Sequence, residues 1–249
     1  MTQVYDFLAP VLAIGGAVAL LLLVVFLLLG PARKFWVFLL YVSWDLVATV
    51  GLTIADLRLH GTAQVTGTEA SKLYARFYWT NDVIEDLLRF VLVTVLIYQV
   101  VGSSKPLLKR VLSGLVLAMI VLPFVLFPDI FPDAPSTLFP KWYPKAAWFN
   151  STSQLLNFGA AIMNVILWGV LIQTKKRDPQ ILAVSVGLGI LVTGTAISYG
   201  VRHFAPQGGI TAAFNLFINL SQLAAILIWC HAFWPVPRRG PAGAIVPSQ

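Results

Sequence analysis

Between Tyr78 and Val101 the chain reads YWTNDVIEDLLRFVLVTVLIYQVV, an apolar run that nevertheless carries Asp82, Glu85, Asp86 and Arg89. On a helix these positions stand at i, i+3, i+4 and i+7, so all four fall on one face. Ionisable groups at membrane depth are costly and turn toward a bundle interior or a wet cavity. Grouped acids of this kind can hold a cation or an amine, relay a proton, or serve as a general acid and base. With three acids against one internal base the cluster is formally negative, so at least one acid is expected to be protonated or to hold a cation or an amine. The plainer alternative is structural: Glu85 and Arg89 are an i, i+4 pair that can satisfy each other.

Other polar residues recur at helical spacing. Asp45, Thr49 and Thr53 share a face of one apolar stretch, and Asn150, Ser153, Gln154, Asn157 and Asn164 repeat along another. Asn215, Asn219 and Gln222 do the same near the C-terminal end. Asp45 lies about as far below Asp56 as Arg89 lies below Tyr78, so the two are expected to pair or to share a water. The candidate ligand-binding set is therefore Asp82, Glu85, Asp86, Arg89, Asp45, Asn150, Asn157, Asn215, Asn219 and Gln222. For each Asn the alternative is interhelical glue, worth roughly 0.6–2 kcal/mol per bond.

The elements that must position these residues are membrane helices. Of 249 residues, 58% are hydrophobic and 11% charged, against roughly 25% charged in a soluble domain. Seven spans are predicted, at about Phe7–Gly30, Phe35–Leu57, Tyr78–Val101, Val111–Phe127, Ala146–Gln173, Gln180–Gly200 and Thr211–Trp234, each near the length that crosses a bilayer. Pro123 predicts a kink in the fourth. Gly15, Gly16 and Ala17, and again Gly187, Gly189 and Gly194, read as places where a second helix comes close. The fold class is an all-α polytopic bundle, a single domain over residues 1–234, followed by a disordered tail at 235–249. The N-terminus MTQVYD lacks a basic n-region, which argues against a cleaved signal peptide.

A net charge of +7 could suggest a nucleic-acid partner, but its distribution fits membrane orientation better. Arg33, Lys34, Lys105, Lys109, Arg110, Lys175, Lys176, Arg177, Arg238 and Arg239 fall on one side of the predicted spans, with Asp178 the one acid among them. By the positive-inside rule that side is cytoplasmic, so the N-terminus is outside and the C-terminus inside. The partners expected are the lipid bilayer, with anionic lipid at the basic loops, and a small polar or cationic ligand; no nucleic acid is expected. The polar faces then all fall in the outer half, above inner halves rich in Leu, Ile, Val and Ala. An outward-opening polar cavity over an apolar floor follows.

Several chemistries are excluded. A retinal Schiff base needs a lysine in the last helix, and Thr211–Trp234 has none. Cys230 is the single cysteine, so there is no disulfide and no thiolate metal cage. His60, His203 and His231 are scattered over two outer loops and an inner helix end, which argues against zinc and bis-His haem; His60 and His203 read as ordinary exposed histidines rather than as a loop site shared with Asp56. No cofactor is expected. Pro179–Gln180 reads as a helix start, with proline in the first turn.

Tyr78–Trp79, Phe90, Ile97–Tyr98, Gly187–Leu188–Gly189 and Ile228–Trp229 resemble the order of signals in a set of uncharacterised seven-helix membrane proteins of acidobacteria-like soil bacteria. Where those proteins carry an acid after the third-span tyrosine, this chain has Gln99. The resemblance implies a multi-pass protein of the bacterial cytoplasmic membrane and no particular activity. Taken together, the residues point first to a sensor or binding protein with an outward-facing acidic cavity. A proton-coupled carrier of small solutes comes second. A carboxylate-dependent membrane enzyme comes last, because no nucleophile or metal set accompanies the acids.

Overall fold

A computed structural model describes residues 2–60, 69–101, 106–128, 130, 144, 146–174, 178–204 and 208–235. The aromatic-rich connection before Ala146, most of the basic loops and the tail lie outside these residues, as do the side chains of Asp56, His60, His203 and Asn215. Among the described residues the only regular elements are seven helices: α1 (Thr2–Leu29), α2 (Trp36–His60), α3 (Glu69–Val101), α4 (Pro106–Leu126), α5 (Ala146–Thr174), α6 (Pro179–Phe204) and α7 (Gly208–Phe233). Five of them, α1, α2, α5, α6 and α7, contain a stretch long and apolar enough to cross a membrane. Helix α3 is long enough at 33 residues, but every membrane-length window within it holds Glu85 and Asp86 together with at least one further charged residue. The apolar part of α4, Arg110–Leu126, is shorter.

Helix starts follow local chemistry. Pro106 and Pro179 occupy first helical positions, where a missing N–H costs nothing. Asp178 caps α6: its Oδ1 accepts from the backbone N–H of Gln180 at 3.0 Å and of Ile181 at 3.4 Å, the usual role of an N-cap carboxylate. Helix α3 begins nine residues ahead of the predicted Tyr78, because Glu69, Ala70, Lys72 and Leu73 are sound helix formers and helical bonding can continue past the apolar stretch. Helix α4 runs through Pro123 and ends one turn later.

The helices form a ring in the order α1, α2, α3, α5, α6, α7 and back to α1, with α4 lying outside against α3 and α5. Helix α3 touches α2, α4, α5 and α6, which makes it the most widely packed element. The bundle's outer surface is apolar: Leu29 is 78% exposed, Ile172 74% and Val165 72%. So much exposed aliphatic surface suits lipid rather than water.

One end of the bundle gathers the α1–α2 turn, the last turns of α3 and α7, and the start of α6. There Lys34 forms an ion pair with Asp178, Gln99 Nε2 donates to the Lys34 carbonyl at 2.8 Å, and Phe35 meets Phe233 edge-on at 5.2 Å. Above this end the interior is aromatic. Phe38 packs on Trp229 at 5.0 Å and Tyr41 on Trp229 at 6.2 Å. Around these rings the core is aliphatic, as expected, with Leu92, Val93, Leu96, Leu188 and Val192 all buried; α2 and α7 add the aromatic side chains to it.

Glycines on α6 do what their spacing predicts. A Cβ at Gly187 would collide with the Trp229 indole, one at Gly194 with Ser221, and one at Gly189 would stand 2.8 Å from Asn164 Nδ2. The first glycine patch differs. A Cβ at Gly15 or Gly16 would meet nothing within 4 Å, so no helix comes close there.

Candidate functional site

The buried polar groups form a network centred on α3. Arg89 is 7% exposed and Asp86 is 0% exposed. The Arg89 guanidinium donates through Nη1 to Asp86 Oδ1 at 2.6 Å, through Nη2 to Glu85, and through Nε to the Tyr41 hydroxyl at 3.3 Å. Each of its three nitrogens is therefore engaged, two of them with acids on its own helix, one turn toward the N-terminus, where i, i+3 and i, i+4 neighbours lie. On the far side of α3, Ser153 of α5 reaches both Asp86 and Asp82, the latter at 3.1 Å. Asn81, also buried, accepts a bond from Trp44 Nε1 of α2 at 2.8 Å.

Of the two arrangements expected for Asp45 and Arg89, the direct ion pair is not formed: Arg89 pairs with Glu85 and Asp86. Asp45 is 2% exposed and accepts from Gln222 Nε2 of α7 at 3.1 and 3.2 Å and from Thr49 Oγ1 at 3.4 Å. The direction differs from the depth argument: both of the carboxylates that pair with Arg89 lie on its own helix, and Asp45 bonds to Gln222 of α7. Tyr41, one turn from Asp45 on the same face of α2, takes the place beside Arg89. Polar groups therefore run from Gln222 and Asp45 through Tyr41 and Arg89 to Asp86 and Ser153, linking α7, α2, α3 and α5.

A cavity of about 210 Å³ opens between α1, α2 and α7. Thr49, Thr53, Asn219 and Gln222 form its polar wall; Leu12, Leu20, Leu52, Leu223 and Ile226 form the apolar one, with Gly16 between them. Gly16 lines open space, which is why a Cβ there has no neighbour. The polar wall lies about 20–25 Å along α2 from Trp36, at 1.5 Å per residue, and so toward the end away from the Lys34–Asp178 pair. Thr53 donates its own hydroxyl to the Thr49 carbonyl at 2.7 Å, leaving Asn219 and Gln222 as the amides at the wall.

Seven of the ten predicted residues thus fall into two groups. Asp45, Asn219 and Gln222 stand at or directly behind the cavity wall. Asp82, Glu85, Asp86 and Arg89 gather on α3 against α2 and α5 and do not line that cavity. Asn150 is half-buried near the N-terminal end of α5, and Asn157 is 1% exposed with neither polar side-chain atom hydrogen-bonded. Asn164 acts as glue, exchanging bonds with Ser185 of α6 at 3.0 and 3.3 Å. Tyr41, Trp44 and Asn81 were missed. Tyr41 and Asn81 could have been found, since each stands four residues before an acid, Asp45 and Glu85 respectively.

Among the described residues no three His, Cys, Asp or Glu side chains gather as a metal cage. No protein-family model matches the chain, and no match is found among curated proteins or solved structures.

Proposed function

We propose that all seven helices span a bacterial cytoplasmic membrane, N-terminus outside and C-terminus inside, and that the protein is a sensor or binding protein. It would take a small molecule with a cationic or hydrogen-bond-donating head into the α1–α2–α7 cavity. The observation that carries this reading is the double duty of Gln222, which lines the cavity and also holds both carboxylate oxygens of Asp45. Asp45 is an acid whose hydrogen-bond partners here are neutral, so a cationic head at the wall gains from its field. Such a head competes with Gln222 for Asp45. Occupancy is thereby coupled to the α2–α7 link and to the Tyr41–Arg89 contact one turn away. At about 210 Å³ the space lies below the ~300–1,000 Å³ of sites for drug-sized ligands, so the ligand is small, with an apolar body against Leu12, Leu20 and Ile226.

The test uses the full chain in detergent or nanodiscs, with short alkylamines and the matching alkanols as probes and thermal unfolding as readout. Amines should stabilise more than alkanols, Asp45→Asn should remove that preference, and Gly16→Phe should abolish both responses. No shift with either probe, or a shift that survives Gly16→Phe, overturns the assignment. Orientation is tested separately by replacing Cys230 and introducing single cysteines in the α1–α2 turn or after Gly208. An impermeant maleimide added to intact cells should label only the latter.

A proton-coupled carrier is the alternative, and the buried polar groups on α7, α2, α3 and α5, from Gln222 and Asp45 to Asp86 and Ser153, favour it. Its mark is solute flux in proteoliposomes that is lost in Glu85→Gln.

A further inference from the structure

Asn157 stands out among the buried polar groups. It is 1% exposed, yet neither Nδ2 nor Oδ1 has a hydrogen-bond partner. An unmade bond of this kind is expensive inside a protein, and Asn164, two turns further along α5, has all it needs from Ser185. Asn157 lies one turn beyond Ser153 on the same helix face. Helical side chains lean back toward the N-terminus, so its amide is aimed at the turn where Ser153 meets Asp86.

The charge around that turn is unbalanced. Counting only Asp45, Glu85 and Asp86 against Arg89, the buried network is formally negative by two. The Arg89 guanidinium is spent on Glu85, Asp86 and Tyr41 and occupies Oδ1 of Asp86. The other carboxylate oxygen, Oδ2, faces the Ser153 hydroxyl. That hydroxyl donates one proton and keeps lone pairs free.

We propose that a partly hydrated monovalent cation of sodium size binds between α3 and α5, held by Asp86 Oδ2, Ser153 Oγ and Asn157 Oδ1. These are hard oxygen donors, as such a cation requires. A water in its shell accepts the Nδ2 proton of Asn157, so one guest satisfies both orphaned atoms. A divalent ion fits less well. It seeks six or more oxygens, commonly with several carboxylates, whereas here one carboxylate is already shared with a guanidinium. Asp82, whose carboxylate also accepts from Ser153, lies one turn outward along the line by which the ion would enter. The site is distinct from the α1–α2–α7 cavity and stands whether or not that cavity binds a ligand.

The experiment measures thermal unfolding of the purified full chain in sodium, potassium and choline chloride at equal ionic strength, at fixed pH. Sodium should raise the melting temperature by a few degrees over choline, growing with the logarithm of its concentration. Asn157→Leu and Ser153→Ala should each remove or sharply reduce the sodium term. Asn164→Leu, which breaks the glue to α6, should lower the melting temperature and leave the sodium term intact. If Asn157→Leu fails to fold, Ser153→Ala alone decides. Equal melting in all three salts overturns the site, as does a sodium effect that survives both variants. A melting temperature that moves with pH but not with sodium also overturns it. That outcome puts a proton on the group formed by Asp45, Asp82, Glu85, Asp86, Arg89 and Tyr41 in place of the cation.

Discussion

Gln222 on α7 holds both carboxylate oxygens of Asp45 on α2, at 3.1 and 3.2 Å, and so ties together two helices on opposite sides of the α1 cleft. Removing the amide leaves a buried acid with Thr49 as its remaining hydrogen-bond partner. Gln222→Leu should therefore destabilise the bundle by about 1–3 kcal/mol. Asp45→Asn keeps a group that can still bond Gln222 and removes a buried charge, so it should be neutral or stabilising. A double-mutant cycle of the two, read by thermal unfolding in detergent, should show that Gln222→Leu costs less in the Asp45→Asn background.

Arg89 is the charge on which the α3 cluster depends. Arg89→Met would leave Glu85 and Asp86 buried without their cation, at a cost of about 3–5 kcal/mol. The loss should be largely recovered in the triple variant Glu85→Gln, Asp86→Asn, Arg89→Met, because matched neutral groups carry little desolvation cost. Yield of folded protein and melting temperature report both steps. If the triple variant is no better than Arg89→Met, the destabilisation comes from lost packing rather than from uncompensated charge.

The two glycine groups predict opposite responses. At Gly187 a methyl would meet the Trp229 indole, whose Nε1 donates to the Val184 carbonyl at 3.2 Å. Gly187→Ala should displace the ring and cost about 1–3 kcal/mol. At Gly16 a methyl meets open space, so Gly16→Ala should be neutral or stabilising, since alanine is the better helix former by up to about 1 kcal/mol. Melting temperatures of the two variants, measured side by side, check the contrast.

Much of this was legible in the chain itself. Hydropathy and breaker residues located the helices, and the spacing of Asp82, Glu85, Asp86 and Arg89 put them on one buried face. Period alone also made Asn164 a candidate for glue and Gly187 a close-packing position. What could not be read was azimuth. Knowing that Asp45 and Arg89 share a depth does not say which neighbour each faces. That depends on how six helices close into a ring and on Arg89 taking both of its carboxylate partners from its own helix. The cavity was hidden for the same reason: Gly15 and Gly16 look alike whether a helix fills the space beside them or leaves it empty.

The Lys34–Asp178 pair gives a pH signature at the end of the bundle where the basic turn lies. Partial burial tends to raise the Asp178 carboxyl, but the Lys34 hydrogen bond, the Ile181 and Gln180 N–H groups and the Lys34 charge outweigh it, and its pKa falls below the ordinary carboxylate value. A carboxyl depressed in the folded state stabilises above its unfolded pKa, near 3.9, and that contribution is lost as pH falls through the lower folded value. Asp178→Asn keeps the capping oxygen and removes the charge. At neutral pH it should melt below the parent by an amount equivalent to less than about 1 kcal/mol, the pair being largely exposed. The difference should close as the pH drops below about 4 and shrink with added salt. Asp178→Ala loses the cap as well, so about 0.5–2 kcal/mol of its deficit should persist in acid. If Asp178→Asn and the parent differ equally at pH 7 and in acid, the side chain acts through capping geometry and not through its charge.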